Sequence, residues 1–401
     1  MTLGALFDHA LKNNPEIRAL QHAVNAKKND VTLATALPDP SLSAGYFVVP
    51  VETRVGPQKG KIGVTQMIPW PGKLADKKRI AEKELAAETE KLNDATVALF
   101  SDITEIYATL YALGKTVSID SENLQLLKHM ESVLLARYAA DDASQMSLLK
   151  LQVEMAVLDD EIRSVVSETT REREMLASLL GGSSGQSALP QSLPSIKVAI
   201  NENDPDSVLD AASPKLRSLA FLRSAAYQRV RLSKKSYLPD FMLMTDYIIT
   251  GRSSSSMVAA DENGKDPWMV GASVTLPVWS RSKNAAIGKM KSMEMMTAEK
   301  EMNMHNMLHA KVIELNESYN DVERKISLFE TVLIPKARQS LALFEETYAN
   351  SRATVLDFLD AQRMLLDLEI KLVRQQAMRT KLAGKIDMIL GGNELMKLAR
   401  E

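Results

Sequence analysis

The chain has 401 residues, 25% of them charged, a formal net charge of -2 and no cysteine. Near-neutral charge leaves no global basic field for nucleic acid, and the missing thiol excludes disulfides, zinc–thiolate centres and thiol catalysis. Aromatic residues make up only 5% against 21 methionines, which suits long helices better than a sandwich or a doubly wound sheet.

Met1 leads straight into the amphipathic stretch Leu3–Leu11 with no signal-peptide pattern, as expected of a cytosolic chain or of a sequence that begins after processing. Pro15 then opens a helix to about Ala36, which Leu37-Pro38-Asp39 ends. Strands are expected over 41–51 and 61–68, with a polar turn at Glu52–Gly60 between them. After the junction Pro69-Trp70-Pro71-Gly72, the stretch Lys73–Tyr138 contains no proline and one glycine, Gly114. As one helix it spans about 100 Å at about 1.5 Å per residue. Ile103, Ile106, Leu110, Leu113, Val117, Leu124 and Leu127 step by threes and fours, a coiled-coil seam that Asp120 and Glu131 interrupt. No run of eighteen apolar residues occurs, so no membrane-spanning helix is expected.

This order recurs about 200 residues later. Asn14-Pro15-Glu16-Ile17-Arg18 matches Ser213-Pro214-Lys215-Leu216-Arg217, Leu37-Pro38-Asp39 matches Leu238-Pro239-Asp240, and Gln152 matches Gln362. Leu180-Gly181-Gly182 matches Leu390-Gly391-Gly392. The repeat divides the chain into 1–182 (helix, hairpin 41–68, long helix 73–138, return helix 145–180), a linker 183–206, a second copy 207–392 (helix, hairpin 241–276, long helix 282–348, return helix 354–390) and a tail 393–401. In the second hairpin Trp268, Val270, Ala272, Val274 and Leu276 alternate onto one face, as do Phe241, Leu243, Tyr247 and Ile249. The second seam runs Val312, Leu315, Tyr319, Val322, Ile326, Phe329 and Leu333, and Pro335 should kink it locally. The fold class is mostly α with a small β part.

Strands of about ten residues have the length a tilted strand needs to cross a bilayer. Four of them cannot close a barrel, and open edges are forbidden in lipid. Membranous strands would therefore need several chains, and three copies would supply twelve strands. A soluble coiled-coil scaffold with protein-binding ribbons is the alternative, separable by detergent dependence.

Two repeats of helix, hairpin, long helix and return helix, with Ile68-Pro69-Trp70-Pro71-Gly72-Lys73, Pro335-Lys336-Ala337-Arg338 and Leu356-Asp357-Phe358-Leu359-Asp360-Ala361-Gln362, resemble the outer-membrane efflux proteins of the TolC family. The Pro-Trp-Pro-Gly-Lys form looks more like the heavy-metal branch. The resemblance implies a homotrimer in the outer membrane of a Gram-negative bacterium, with a twelve-stranded β-barrel and a coiled-coil helical tunnel in the periplasm. It implies docking to a periplasmic adaptor and an inner-membrane pump, contact with outer-membrane lipid, and passive conduction of heavy-metal cations or drugs; a type I protein-secretion duct is the other cargo reading. Two departures stand out. Asp141 and Ser351 occupy tip positions where the family usually carries glycine, and the N-terminal lipid-anchor cysteine of many members is missing.

Asp357 and Asp360 share a helix face. Spacing alone favours helix-start stabilisation, whereas the resemblance implies acidic rings at a periplasmic aperture, with Ser147 and Lys150 at the matching positions of the first copy. The adaptor-docking tips it implies are Tyr138, Asp141, Tyr348 and Ser351. Seven methionines between Met290 and Met307 accompany His305 and His309. Met293, Met296, His305 and His309 have the chemistry of a soft-metal site, but helix-packing use outweighs it. Gly181-Gly182-Ser183-Ser184-Gly185 spells a hydrolase pattern without its strand–turn–helix setting. No enzyme activity, no cofactor and no nucleic-acid partner is expected.

Overall fold

The computed structural model describes residues 2–140, 144–182, 189–198, 205–254, 257, 259–349 and 355–400, with backbone alone for 205–207, 344–349 and 355–356. In chain order the elements are α1 (Leu3–Asn13), α2 (Pro15–Leu33), β1 (Ser41–Thr53), β2 (Gly56–Ile68), α3 (Lys73–Ala139), α4 (Gln145–Leu179), α5 (Pro205–Ala212), α6 (Pro214–Lys234), β3 (Phe241–Thr250), β4 (Trp268–Val274), α7 (Ser280–Leu328), α8 (Ile334–Ala349), α9 (Val355–Ile389) and α10 (Asn393–Leu398). They form two compact units, each drawing on both repeats. Unit one holds 1–22, 90–217 and 303–401, and unit two holds 23–89 and 218–302.

Unit one is helical. Its main core joins Leu3, Leu6, Phe7 and Ala10 of α1 to Val97, Phe100, Ile103, Ile106 and Leu110 of α3, with Leu176, Leu180 and Leu395. Phe7 stacks on Phe100 at 4.2 Å between ring centroids. A second core collects Val312, Leu315, Val322 and Ile326 of α7 with Leu382, Ile386 and Ile389 of α9. The residues 393–401, expected as a tail, include α10, whose Leu395 is fully buried. Asp387 caps α10 by accepting from the N–H groups of Glu394 (3.2 Å) and Leu395 (2.9 Å).

The repeat has a physical basis in this unit. α4 ends with Gly182 N donating to Ala177 O (2.9 Å) and Gly181 N to Ser178 O (3.2 Å), and α9 with Gly392 N to Asp387 O (2.7 Å) and Gly391 N to Met388 O (3.3 Å). Both are Schellman motifs, which need a left-handed residue after the helix. Gly181 (φ +90°) and Gly391 (φ +94°) also abut the carbonyls of Asn13 and Ala212, each 2.6 Å from where a Cβ would sit. Those carbonyls precede the helix starts Asn14-Pro15 and Ser213-Pro214, in which Asn14 and Ser213 are buried. Asn14 accepts from Glu16 N (2.9 Å) and donates to Leu179 O (2.9 Å).

Both seams shift from the periodicity. On α3, Leu113 and Val117 are only half-buried, while Ala108, Ala112, Thr116 and Asp120 are buried. A long helix at about 3.6 residues per turn drifts off a 3.5-residue stripe. In the second copy a π-helical turn, Phe329–Leu333, lies just before Pro335. Proline cannot donate and crowds the carbonyl four residues back, and the wide turn relieves both. It also moves burial from Leu333 to Ile334 and Ala337.

Unit two carries one antiparallel sheet in the order β1-β2-β3-β4. The first hairpin turn is tighter than the expected Glu52–Gly60: pairing continues to Thr53↔Gly56. Gly56 (φ +136°) permits it, since a Cβ there would strike Gly251 O at 1.8 Å. At the strand-to-helix junction Lys73 Nζ donates to Asp240 Oδ1 (2.8 Å) and Leu238 O (2.9 Å), and Trp70 N donates to Asp240 Oδ1 (2.7 Å). Lys235 lies 2.6 Å from the fully buried Asp76.

Burial alone would raise the Asp240 carboxyl, but the Lys73 and Trp70 hydrogen bonds and the charges of Lys73 and Lys77 hold it below 3.8. A depressed carboxyl contributes stability above the unfolded value and loses it as pH falls through the folded one. Asp240→Asn should therefore cost about 1–3 kcal/mol at pH 7, and thermal melting should show the gap to wild type closing toward pH 3.

Candidate functional site: an apolar sheet face and the helical tips

In unit two, cross-strand register assembles one face from Leu42 and Ala44 of β1, Ile62 and Val64 of β2, Leu243, Thr245 and Tyr247 of β3, and Trp268, Val270, Ala272 and Val274 of β4. Most of its large side chains are bare in the single chain, Leu42 at 74% exposed and Val270 at 79%, while Tyr247 is half-buried. The opposite face mixes small and polar residues, Ser43, Lys61, Gly63, Asp246, Gly271 and Ser273, with Met242, Met244, Ile248 and Met269. There Asp246 is buried, with Lys61 at 4.0 Å, and Gly63 leaves room for its carboxylate, which a Cβ would meet at 2.0 Å. β1 and β4 each pair on one side only among the described residues.

At the tips, in unit one, a groove of about 780 Å³ lies between α4 and α9. Gln145, Met146, Leu149, Lys150, Val153 and Glu154 line one wall, and Leu359, Asp360 and Arg363 the other. The structure thus brings Lys150 and Asp360 to one groove. Ser147 lies outside the lining: its N–H and hydroxyl meet the capping Ser144 Oγ at 3.3 and 3.0 Å. Asp357 is exposed in the first turn of α9. Arg363 donates to both oxygens of Glu154, at 3.1 and 2.5 Å. Neither residue stands out in the sequence, since each is one charge among many on a solvated helix. The repeated glutamines, by contrast, bond back to α3: Gln152 to Glu131 (2.8 Å) and Gln362 to Asn123 (2.7 Å). Tyr138 is 44% exposed at the end of α3. Asp141 and Ser351 lie outside the described residues, as do the Tyr348 side chain and Ser183–Gly185 of the hydrolase-like pattern.

Residues 207–392 match the family of outer membrane efflux proteins. The fold of the chain is shared with the outer-membrane channel OprN (TM-score 0.79, 17% identity, 98% of this chain and 90% of that one). CusC, described for transmembrane channel formation, matches at TM-score 0.80 and 15% identity over 97% and 92% of the chains. The outer membrane protein VceC of Vibrio cholerae matches at TM-score 0.78 and 19% identity over 97% and 96%. A search of curated proteins found no match.

The methionine stretch does not gather into one cluster. Met295, Met296, Met302 and Met307 are exposed, while Met293 and Met304 are half-buried and Met304 packs on the α7–α9 core. His305 lies 3.3 Å from Asp210 and its ring centroid 6.4 Å from that of His309. No group of three or more His, Asp or Glu suited to a metal occurs among the described residues. Replacing Met293, Met296, Met304 and Met307 with leucine, a volume-conserving swap, should cost under about 1.5 kcal/mol. Growth assays should show export unchanged, with no selective loss of copper or silver tolerance.

Proposed function

We propose that the chain is the outer-membrane exit duct of a tripartite efflux system, a passive homotrimeric channel that receives its cargo from an inner-membrane pump through a periplasmic adaptor. The observation that carries this reading is the exposed apolar sheet face bounded by two edges that are unpaired among the described residues. No helix among the described residues is long and apolar enough to cross a membrane, so the sheet is the element suited to lipid. Its strands of seven to thirteen residues include lengths suited to spanning at a tilt. Sheet edges in hydrocarbon must be closed, and three copies joined β1 to β4 close a twelve-stranded barrel. The family match and the fold shared with outer-membrane channels support the same placement in a Gram-negative outer membrane. Heavy-metal cations and drugs are the cargo classes; the scattered methionines give no particular support to soft metals.

Purified protein should be a trimer that requires detergent and forms conducting pores in planar bilayers. A monodisperse monomer stable without detergent would overturn the reading. At the tips, Asp357 and Asp360 act by charge as the aperture's acidic ring, with Lys150 across the groove from Asp360. Converting both aspartates to asparagine keeps their size and removes their charge. Single-channel recordings should then show reduced cation selectivity and weaker multivalent-cation block with the trimer intact. Unaltered selectivity together with lower thermal stability, up to about 1 kcal/mol per site, would make them helix-start stabilisers instead.

A further inference from the structure

Unit one holds an ionisable group that neither the sheet nor the tips use. Thr116, Asp120 and Asn123 place three polar side chains on the buried line of α3. Above them lies a small cluster of Ala108, Ala112, Val373 and Ala377, and below them a leucine cluster that includes Leu124, Leu127 and Leu151. Asp120 is 2% exposed, and its Oδ1 has no hydrogen-bond partner. Gln362 Oε1 is also buried without a partner, although Gln362 Nε2 donates to Asn123 Oδ1 at 2.7 Å. An ionised carboxylate only accepts hydrogen bonds, whereas a protonated one also donates. A layer with two unmet acceptors is therefore served by a proton on Asp120 and not by a charge. The charged groups facing Asp120 from the packed elements are Glu161 of α4 and Arg374 of α9.

We propose that Asp120 is a proton-operated packing switch of the α3–α4–α9 bundle: protonated, it joins the buried layer as a donor and the helices close on it; ionised, it loosens them at that level. The inference rests on unit one alone and stands whether or not the chain is a duct. Burial first, then the Glu161 charge, pushes the carboxyl from 3.8 up to about 6, with Arg374 opposing. The folded state thus holds this proton more tightly than the unfolded one. Stability is highest below the unfolded value, falls as pH rises from 3.8 to about 6, and stays level above. The switch works in mild acid.

The test is hydrogen exchange of the full chain in detergent between pH 5 and 7.5, corrected for intrinsic exchange and read on peptides covering 108–130 and 359–377. Across that range wild-type protection should fall by roughly tenfold as the proton is lost, levelling off as pH passes the titration midpoint near 6. Asp120→Asn should stay protected across the range. Glu161→Gln should move the midpoint down and Arg374→Gln should move it up; both retain Asp120 and decide the matter if Asp120→Asn does not fold. Protection independent of pH in wild type, the same titration in Asp120→Asn, or a midpoint that neither neighbour moves would overturn the proposal.

Discussion

A sheet that meets hydrocarbon cannot leave backbone N–H and C=O groups bare at its edges, because no water is present to satisfy them. Four strands with β1 and β4 unpaired outward among the described residues make the single chain incomplete for that setting. The apolar face imposes the same demand in water, where exposing Leu42, Val64, Val270 and Trp268 together would invite association. Both constraints are met at once by joining copies edge to edge with the apolar face outward. The other face is mixed, with Ser43, Gly63, Asp246, Gly271 and Ser273 beside Met242, Met244 and Met269, so it is the less apolar of the two.

The long helices meet a different requirement. Few carry a single clean apolar stripe, and α3 buries residues on more than one side because several helices contact it. Order within unit one comes from a few rigid points at which the two repeats use the same chemistry. In each copy a glycine pair ends the return helix and presses on the residue before a proline-started helix. A side chain at Gly181 or Gly391 would meet both a left-handed backbone and a neighbouring carbonyl, so both positions exclude anything larger. In unit two the junction lysines serve similarly, with Lys73 and Lys235 holding carbonyls and carboxylates from the other repeat.

Between these points the helices are tied by polar contacts of unequal strength. Arg363 with Glu154 is well formed but Arg363 is largely exposed, so its net contribution is small. The buried layer at Asp120, Asn123 and Gln362 is another matter, since an unpaired acceptor away from water costs about 1–3 kcal/mol. Such a layer weakens packing where it sits, and it divides an otherwise apolar bundle into an upper and a lower part.

Much of this architecture is legible in the chain itself. Helix length follows from the absence of proline over Lys73–Tyr138, the two copies from matched Asn/Ser-Pro, Leu-Pro-Asp and Leu-Gly-Gly signatures, and the lipid-suited face from strict alternation in Trp268–Val274. These features are local, set by backbone stereochemistry and by period, and each can be read within a short window. What the sequence could not decide is which side of a long helix is buried, because a helix contacting several neighbours has no unique stripe: Ala108, Ala112 and Thr116 took the place of Leu113 and Val117. Nor could it show that Glu154 meets Arg363, that Gln362 reaches Asn123, or that residues 393–398 fold as a helix over Asp387. Those pairings join residues far apart in the chain, and only the tertiary packing, by removing water from Asp120 and bringing α9 against α3 and α4, makes such residues different from the many like them on solvated surfaces.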